Sequence, residues 1–156
     1  MRKRSKYRPK GVLLNPMRYV LDGFAPMTSH DDQLLDLKIK NHAAVVALLE
    51  GRANPSQMSS IIAMYNVTEA LCRMGFGREY GEQVDAGREA LVSIVHRSHK
   101  LQKYVPTGPE IGAINGLMEL HDAQMEVVTV REMDSAIKLA TREVKSGKAI
   151  NLRKQT

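Results

Sequence analysis

Apolar residues recur at helical spacing along most of this 156-residue chain, and caps and breakers cut the pattern into separate segments. In the first long segment Leu34, Leu35, Leu37, Ile39, His42, Val45, Val46, Leu48 and Leu49 hold that spacing to Glu50, before Gly51. Ser29 with Asp32 three residues later approximates a capping box at its start. Asn54-Pro55 joins a good N-cap to proline at the first helical position, and Met58, Ile61, Ile62, Tyr65, Thr68, Leu71 and Cys72 carry a second helix to Met74, where Gly75 ends it. Beyond the turn Gly75-Phe76-Gly77, the positions Val84, Leu91, Ile94, Val95, Leu101 and Val105 predict a third helix over roughly residues 78–104. Gly81 and Gly87 fall inside it at a cost of about 1 kcal/mol each against alanine, so this helix either starts late or packs its glycines on a neighbour.

Pro106-Thr107-Gly108-Pro109 is a firm boundary, and Ile111, Ile114, Leu117, Met118, His121, Met125 and Val128 form the stripe of a fourth helix. Thr129 to Glu132 spells another capping box, from which a fifth helix runs from Val130 through Met133, Ile137, Leu139 and Val144 toward Gly147, either continuous with the fourth or, as the pattern favours, kinked from it. Ahead of these, Asn15-Pro16 and Asp22-Gly23 bracket a short helix over residues 16–22. Strand character is confined to Val127-Val128-Thr129-Val130, which is short and embedded in helical pattern. The expected fold is therefore all-α. Short loops near residues 51–54, 75–77 and 106–108 make sequential helices antiparallel neighbours, so the architecture predicted is an antiparallel four-helix-type bundle with a short N-terminal helix.

Charge divides the chain more sharply than the pattern does. The net charge of +6 resolves into +6 over residues 1–10, +5 over residues 138–156 and −5 over the body between them. Residues 1–11 are expected to form a flexible basic arm, residues 12–147 a single helical domain and residues 148–156 a basic tail. The one cysteine, Cys72, has no internal partner for a disulfide, which favours a reducing compartment. Val12 to Leu14 are followed at once by Asn15-Pro16 and Arg18, so the apolar core of a secretory leader is missing. No apolar stretch approaches the length of a membrane span, and no membrane partner is expected.

The residues offer little chemistry. A di-iron bundle needs Glu-x-x-His, which does not occur, and Glu119 and His121 are two apart, on different sides of a helix. His96 and His99 could share a metal, yet they flank Arg97 and Lys100 and read more simply as a solvated basic face. His42 and His121 each sit on the apolar stripe of their helix, and both could point inward to meet one another or Asn41, Tyr65, Asn66 or Asn115 in a buried polar layer. Gly75-Phe76-Gly77-Arg78-Glu79-Tyr80-Gly81 has the wrong spacing for a dinucleotide loop and follows a helix, so it is a connecting turn. Gly108, Gly112 and Gly116 recur every four residues, as close helix approach would require. No catalytic residue, metal or cofactor is assigned, and no constellation meets the geometric requirements of an enzyme. With two Phe, five Tyr and no Trp, the chain lacks an aromatic series for stacking bases, Tyr7 in the arm excepted.

The basic ends carry the clearest functional signal. Arg2, Lys3, Arg4, Lys6, Arg8 and Lys10 could track phosphates as a basic arm does, while Lys138, Arg142 and Lys145 share one helical face, trailed by Lys148, Arg153 and Lys154. Two basic ends could clamp one DNA or RNA backbone without reading its sequence. Met1 to Val12, with Leu37-Lys38-Ile39-Lys40-Asn41-His42 and Tyr65-Asn66-Val67-Thr68-Glu69-Ala70-Leu71, resembles small proteins of proteobacterial phages and prophages that have no assigned activity. The resemblance covers about half of the chain and implies a phage accessory protein acting in bacterial cytoplasm, with no functional residues to carry over. The expectation is a non-enzymatic nucleic-acid-binding protein. The alternatives are a protein-interaction module, for example an inhibitor of a host nucleic-acid machine, and, third, an enzyme of unknown class. Homo-oligomers stay open, since an exposed stripe on the first or third helix could bury itself in a sister chain.

Overall fold

The computed structural model describes residues 23–151. Among them are five α-helices: α1 (Asp31–Leu49), α2 (Pro55–Met74), α3 (Gly81–Leu101), α4 (Gly108–Val127) and α5 (Val130–Ser146). Single 3-10 turns at Met27–His30 and Arg78–Tyr80 lead into α1 and α3. The fold is all-α, as the pattern predicts. The basic arm over residues 1–11 and the short helix over 16–22 lie outside the described residues, as do residues 152–156 of the tail.

Local signals place most helix ends. The Asn54 side chain accepts from the Gln57 amide and the Gln57 side chain accepts from the Asn54 amide, each at 2.9 Å, so two of the donors orphaned at the start of α2 are satisfied reciprocally. Gly75, with φ 110°, closes α2 in the left-handed region that a side chain would resist. The predicted third helix resolves its two glycines in both of the expected ways. The α-helix starts late, at Gly81, and Gly87 is buried where a Cβ would stand 3.3 Å from the Leu117 side chain.

Three expectations are corrected. Ser29 does not open a capping box; its hydroxyl donates to the Pro26 carbonyl at 2.6 Å within the 3-10 turn, and α1 starts at Asp31. The fourth and fifth helices are not a kinked pair, because Val128 and Thr129 are both extended and α5 begins anew with its own capping box, the Thr129 amide donating to Glu132 at 2.7 Å. That break exists because the Met27 amide donates to the Val128 carbonyl and the Val130 amide to the Ala25 carbonyl, each at 3.0 Å. The strand-like residues are thus used in a single antiparallel bridge between Pro26 and Thr129. The glycine stripe of α4 does not mediate close approach along its length. Among the described residues a Cβ at Gly108 or Gly112 would meet nothing within 4 Å, and only Gly116 is approached, by the Gln83 amide that donates to its carbonyl at 2.5 Å.

α2 is the central element, packed against each of the other four helices, and α3 pairs with α4. One buried cluster joins α1 to α4, with Leu48, Tyr65, Leu91, Ile94 and Leu117 fully enclosed. A second docks α5 on α2, where the small side chains of Ala70, Ala136 and Ala140 let the helices approach closely. Beyond α5 the chain folds back: Ile150 is buried in the first cluster and its carbonyl accepts from the Asn66 side chain at 3.0 Å. The stripe of α1 is only half used. Leu34, Val45 and Leu48 are buried, whereas Leu35 and Ile39 are each 57% exposed and Val46 is also exposed. No helix among the described residues is long and apolar enough to cross a membrane.

Candidate functional site

The described part of the basic constellation is the outer face of α5. Its inner face is set by Met133, Ala136 and Ala140, which bury against α2, so the opposite face must meet solvent. Lys138, Arg142 and Lys145 are all exposed there, followed by exposed Lys148. The acids of α5 are largely engaged elsewhere: Glu132 caps the helix and Glu143 pairs with Arg73 of α2. Asp134 is the remaining one, and it holds Lys138 at 2.5 Å. Arg131, one turn earlier, covers the Phe24 ring at 4.2 Å from its centre. The other predicted contacts, Arg2, Lys3, Arg4, Lys6, Arg8, Lys10, Arg153 and Lys154, lie outside the described residues.

A charged lock holds this face in place. Arg73 binds Glu143 and, at 2.8 Å, the buried carboxylate of Glu69, which Arg88 of α3 also approaches at 3.6 Å. Burial alone would make the Arg73 charge easier to lose, but Glu69 and Glu143 outweigh it and the guanidinium is held above its ordinary value. Burial and the nearby Glu69 together push the Tyr65 hydroxyl far above the usual phenol range, so it stays neutral. Arg88 also donates to the Lys148 carbonyl at 3.3 Å, tying the turn after α5 to α3.

The two stripe histidines part company. His121 is 3% exposed and stands between Thr68 Oγ1, 2.9 Å from its Nδ1, and Asn41 Nδ2, 3.5 Å from its Nε2. His42 is exposed and pairs with Asp122 at 2.8 Å, because the buried face of α1 runs through Asn41 and Val45 and leaves position 42 outside. The inward layer is therefore built from His121, Asn41 and Thr68, continued by Gln124, which donates to the carbonyls of Thr68 at 3.2 Å and Phe76 at 2.9 Å. An apolar groove of about 390 Å³ between α1, α2 and α5 has His121 at its base and Leu37, Met64 and Ile137 among its walls. Burial raises the Cys72 thiol above its ordinary value, which suits a packing residue rather than a nucleophile. His96 and His99 are both exposed with ring centres 6.5 Å apart, and no group of three potential ligands is present among the described residues.

One feature escapes the linear pattern. The end of α3 and the loop between α1 and α2 enclose an open cleft of about 840 Å³ lined by Arg52, His99, Lys103 and Tyr104. A trace of it is present in the sequence, since α3 changes from Glu82, Asp85 and Glu89 to His96, Arg97, His99 and Lys100 along its length. Nothing local, however, links Arg52 to residues some fifty positions later. No protein-family model, curated protein or solved structure matches this chain.

Proposed function

We propose that this protein is a phage-type accessory protein that binds the phosphate backbone of DNA or RNA with little sequence readout, through its basic ends. The observation that carries this reading is the outer face of α5, where Arg142 and Lys145 stay exposed while Glu132 and Glu143 are occupied by a cap and an ion pair. The helices serve as the scaffold, an antiparallel four-helix-type bundle. Residues 1–10 supply the second set of cations.

Electrophoretic mobility shift with duplex and single-stranded probes tests it. Each phosphate contact releases condensed counterions, so with six to ten contacts affinity should fall by about 10³–10⁵ between about 50 and 200 mM salt. Deleting residues 1–10 should abolish most of the binding, and Arg142→Glu with Lys145→Glu should flatten the salt slope by about two. A binding constant that ignores salt or the deletion would sink the proposal. A protein-interaction reading draws on the exposed apolar residues Leu35, Ile39 and Val46 of α1. Nuclease treatment before capture separates the two, since a complex held by protein contacts alone survives it.

A further inference from the structure

The cleft beside α3 has a chemistry of its own. Arg52, His99 and Lys103 bring basic side chains to it, and no carboxylate lines it among the described residues. The nearest acid in sequence, Glu50, engages Arg52 through Nε, which leaves the two terminal amino groups of the guanidinium to grip an oxyanion bidentately. Val95, Ala53 and Pro55 give the cleft an apolar wall, and Tyr104 adds an aromatic one. The Ser59 and Ser98 hydroxyls spend their protons on the Pro55 and Val95 carbonyls at 2.9 and 2.6 Å, so toward a ligand they act as acceptors.

The walls are held by contacts outside the cleft. Arg97 donates to the Val105 carbonyl at 2.8 Å through Nη2 and to Glu110 at 2.5 Å, clamping the segment that carries Tyr104 to the start of α4. Burial would raise the Glu110 carboxyl, but hydrogen bonds from Arg97 and Thr107 outweigh it and keep the carboxyl below its ordinary value. The charge of Arg97 is therefore matched inside the fold. Gln102 ends α3 in the left-handed region at φ 54°, a conformation uncommon for a side-chain-bearing residue, which turns Lys103 and Tyr104 back toward α2.

An anion grip, a flat aromatic face and acceptors for N–H groups together match one class of small molecule. We propose that this cleft binds a nucleotide, its phosphate on Arg52 and Lys103 and its base against Tyr104. The volume lies within the range of ordinary ligand pockets and suits a molecule of at least this size. The inference does not rest on the basic ends, because the residues that carry it, Arg52, Lys103 and Tyr104, belong to the body of the chain. Such a nucleotide could be a free mononucleotide or one unit of a single strand, and the two sources share the same contacts.

Amide chemical-shift titration of the full-length chain tests the proposal with four probes: AMP, adenosine, inorganic phosphate and 5′-phosphorylated pentathymidylate. AMP should shift the amides of Gly51 to Ala53 and Ser98 to Tyr104 and should bind about tenfold or more tightly than adenosine or phosphate, since both halves contribute. Arg52→Glu with Lys103→Glu should weaken AMP by about tenfold or more. Tyr104→Leu keeps an apolar residue against the core but removes the stacking face. It should weaken AMP while leaving phosphate unchanged. AMP shifts elsewhere, AMP binding no tighter than phosphate, or affinity indifferent to the double charge reversal would each overturn the assignment. Pentathymidylate that binds more tightly than AMP and is lost with the same reversal identifies a strand as the source; if it binds no more tightly, the free nucleotide is the source. Mobility shift that fails while AMP still binds here would refute the reading of the basic ends and leave the cleft standing.

Discussion

His121 shows how a buried environment selects one form of an ionisable side chain. Thr68 has a single hydroxyl proton, and it goes to the Met64 carbonyl at 3.0 Å. Thr68 Oγ1 can then only accept from the imidazole, so Nδ1 carries the ring proton and Nε2 accepts from Asn41. Burial is the main cause that lowers the proton affinity of this ring, to a pKa of about 4, with nearby Lys38 and His42 adding to it against the opposing effect of Asp122. The unfolded chain takes up this proton at the ordinary histidine value of about 6.5. Between the two values the unfolded state holds more protons, so stability should rise with pH from about 4 to about 6.5 and be level above, by on the order of 3 kcal/mol in all. His121→Gln removes this titration; urea denaturation of the two proteins across that window should show the larger rise in the wild type, the variant keeping only what carboxyls such as Glu110 contribute at the acid end. Thr68→Val leaves the Nδ1 proton unpaired in the interior and should cost about 1–3 kcal/mol at pH 7, with an unchanged urea midpoint counting against the hydrogen bond. The inward position of His121 is legible from its place on an apolar stripe. The outward position of His42 is not, since which part of a broad stripe is covered depends on the neighbouring helix.

The helices themselves behave as local objects. Their starts and stops are legible because a cap or a left-handed glycine acts through hydrogen bonds that span only a few residues, as Asn54 with Gln57 and Gly75 after Cys72 show. What a glycine inside a helix costs is different, because it is decided by what stands opposite. Gly112→Ala should stabilise by up to about 1 kcal/mol, since the helix interior favours alanine and the position is open. Gly87→Val should instead cost about 1–3 kcal/mol, its added methyls forcing Leu117 out of a closed core. Gly75→Ala has room for its methyl yet should still cost about 1–2 kcal/mol through its positive φ alone. Thermal melts of the three variants check the order; a Gly87→Val protein as stable as Gly112→Ala would contradict the packing of α3 on α4. The same neighbour dependence explains the break at Val128 and Thr129, which answers a bridge to Pro26 about a hundred residues away in the chain.

At the scale of the molecule, α2 is surrounded by the other helices and both buried clusters draw on it. Native-state hydrogen exchange should therefore find the slowest amides between Ile61 and Leu71, opening only with global unfolding, and slower amides in α1 or α5 would refute a core organised on α2. The charge pattern reaches the same scale by another route. Helical content, the approximate helix ends and the contrast between basic termini and an acidic body follow from the sequence by itself, since periodicity, capping and formal charge need no knowledge of distant residues. Tertiary structure alone decided that Glu143 turns inward to Arg73 while Arg142 and Lys145 face out, and that half of the α1 stripe stays exposed. It alone set Arg52 and Tyr104 in one cleft. Burial and Coulomb interaction depend on which groups come close in space, and here those groups lie about fifty to seventy positions apart along the chain.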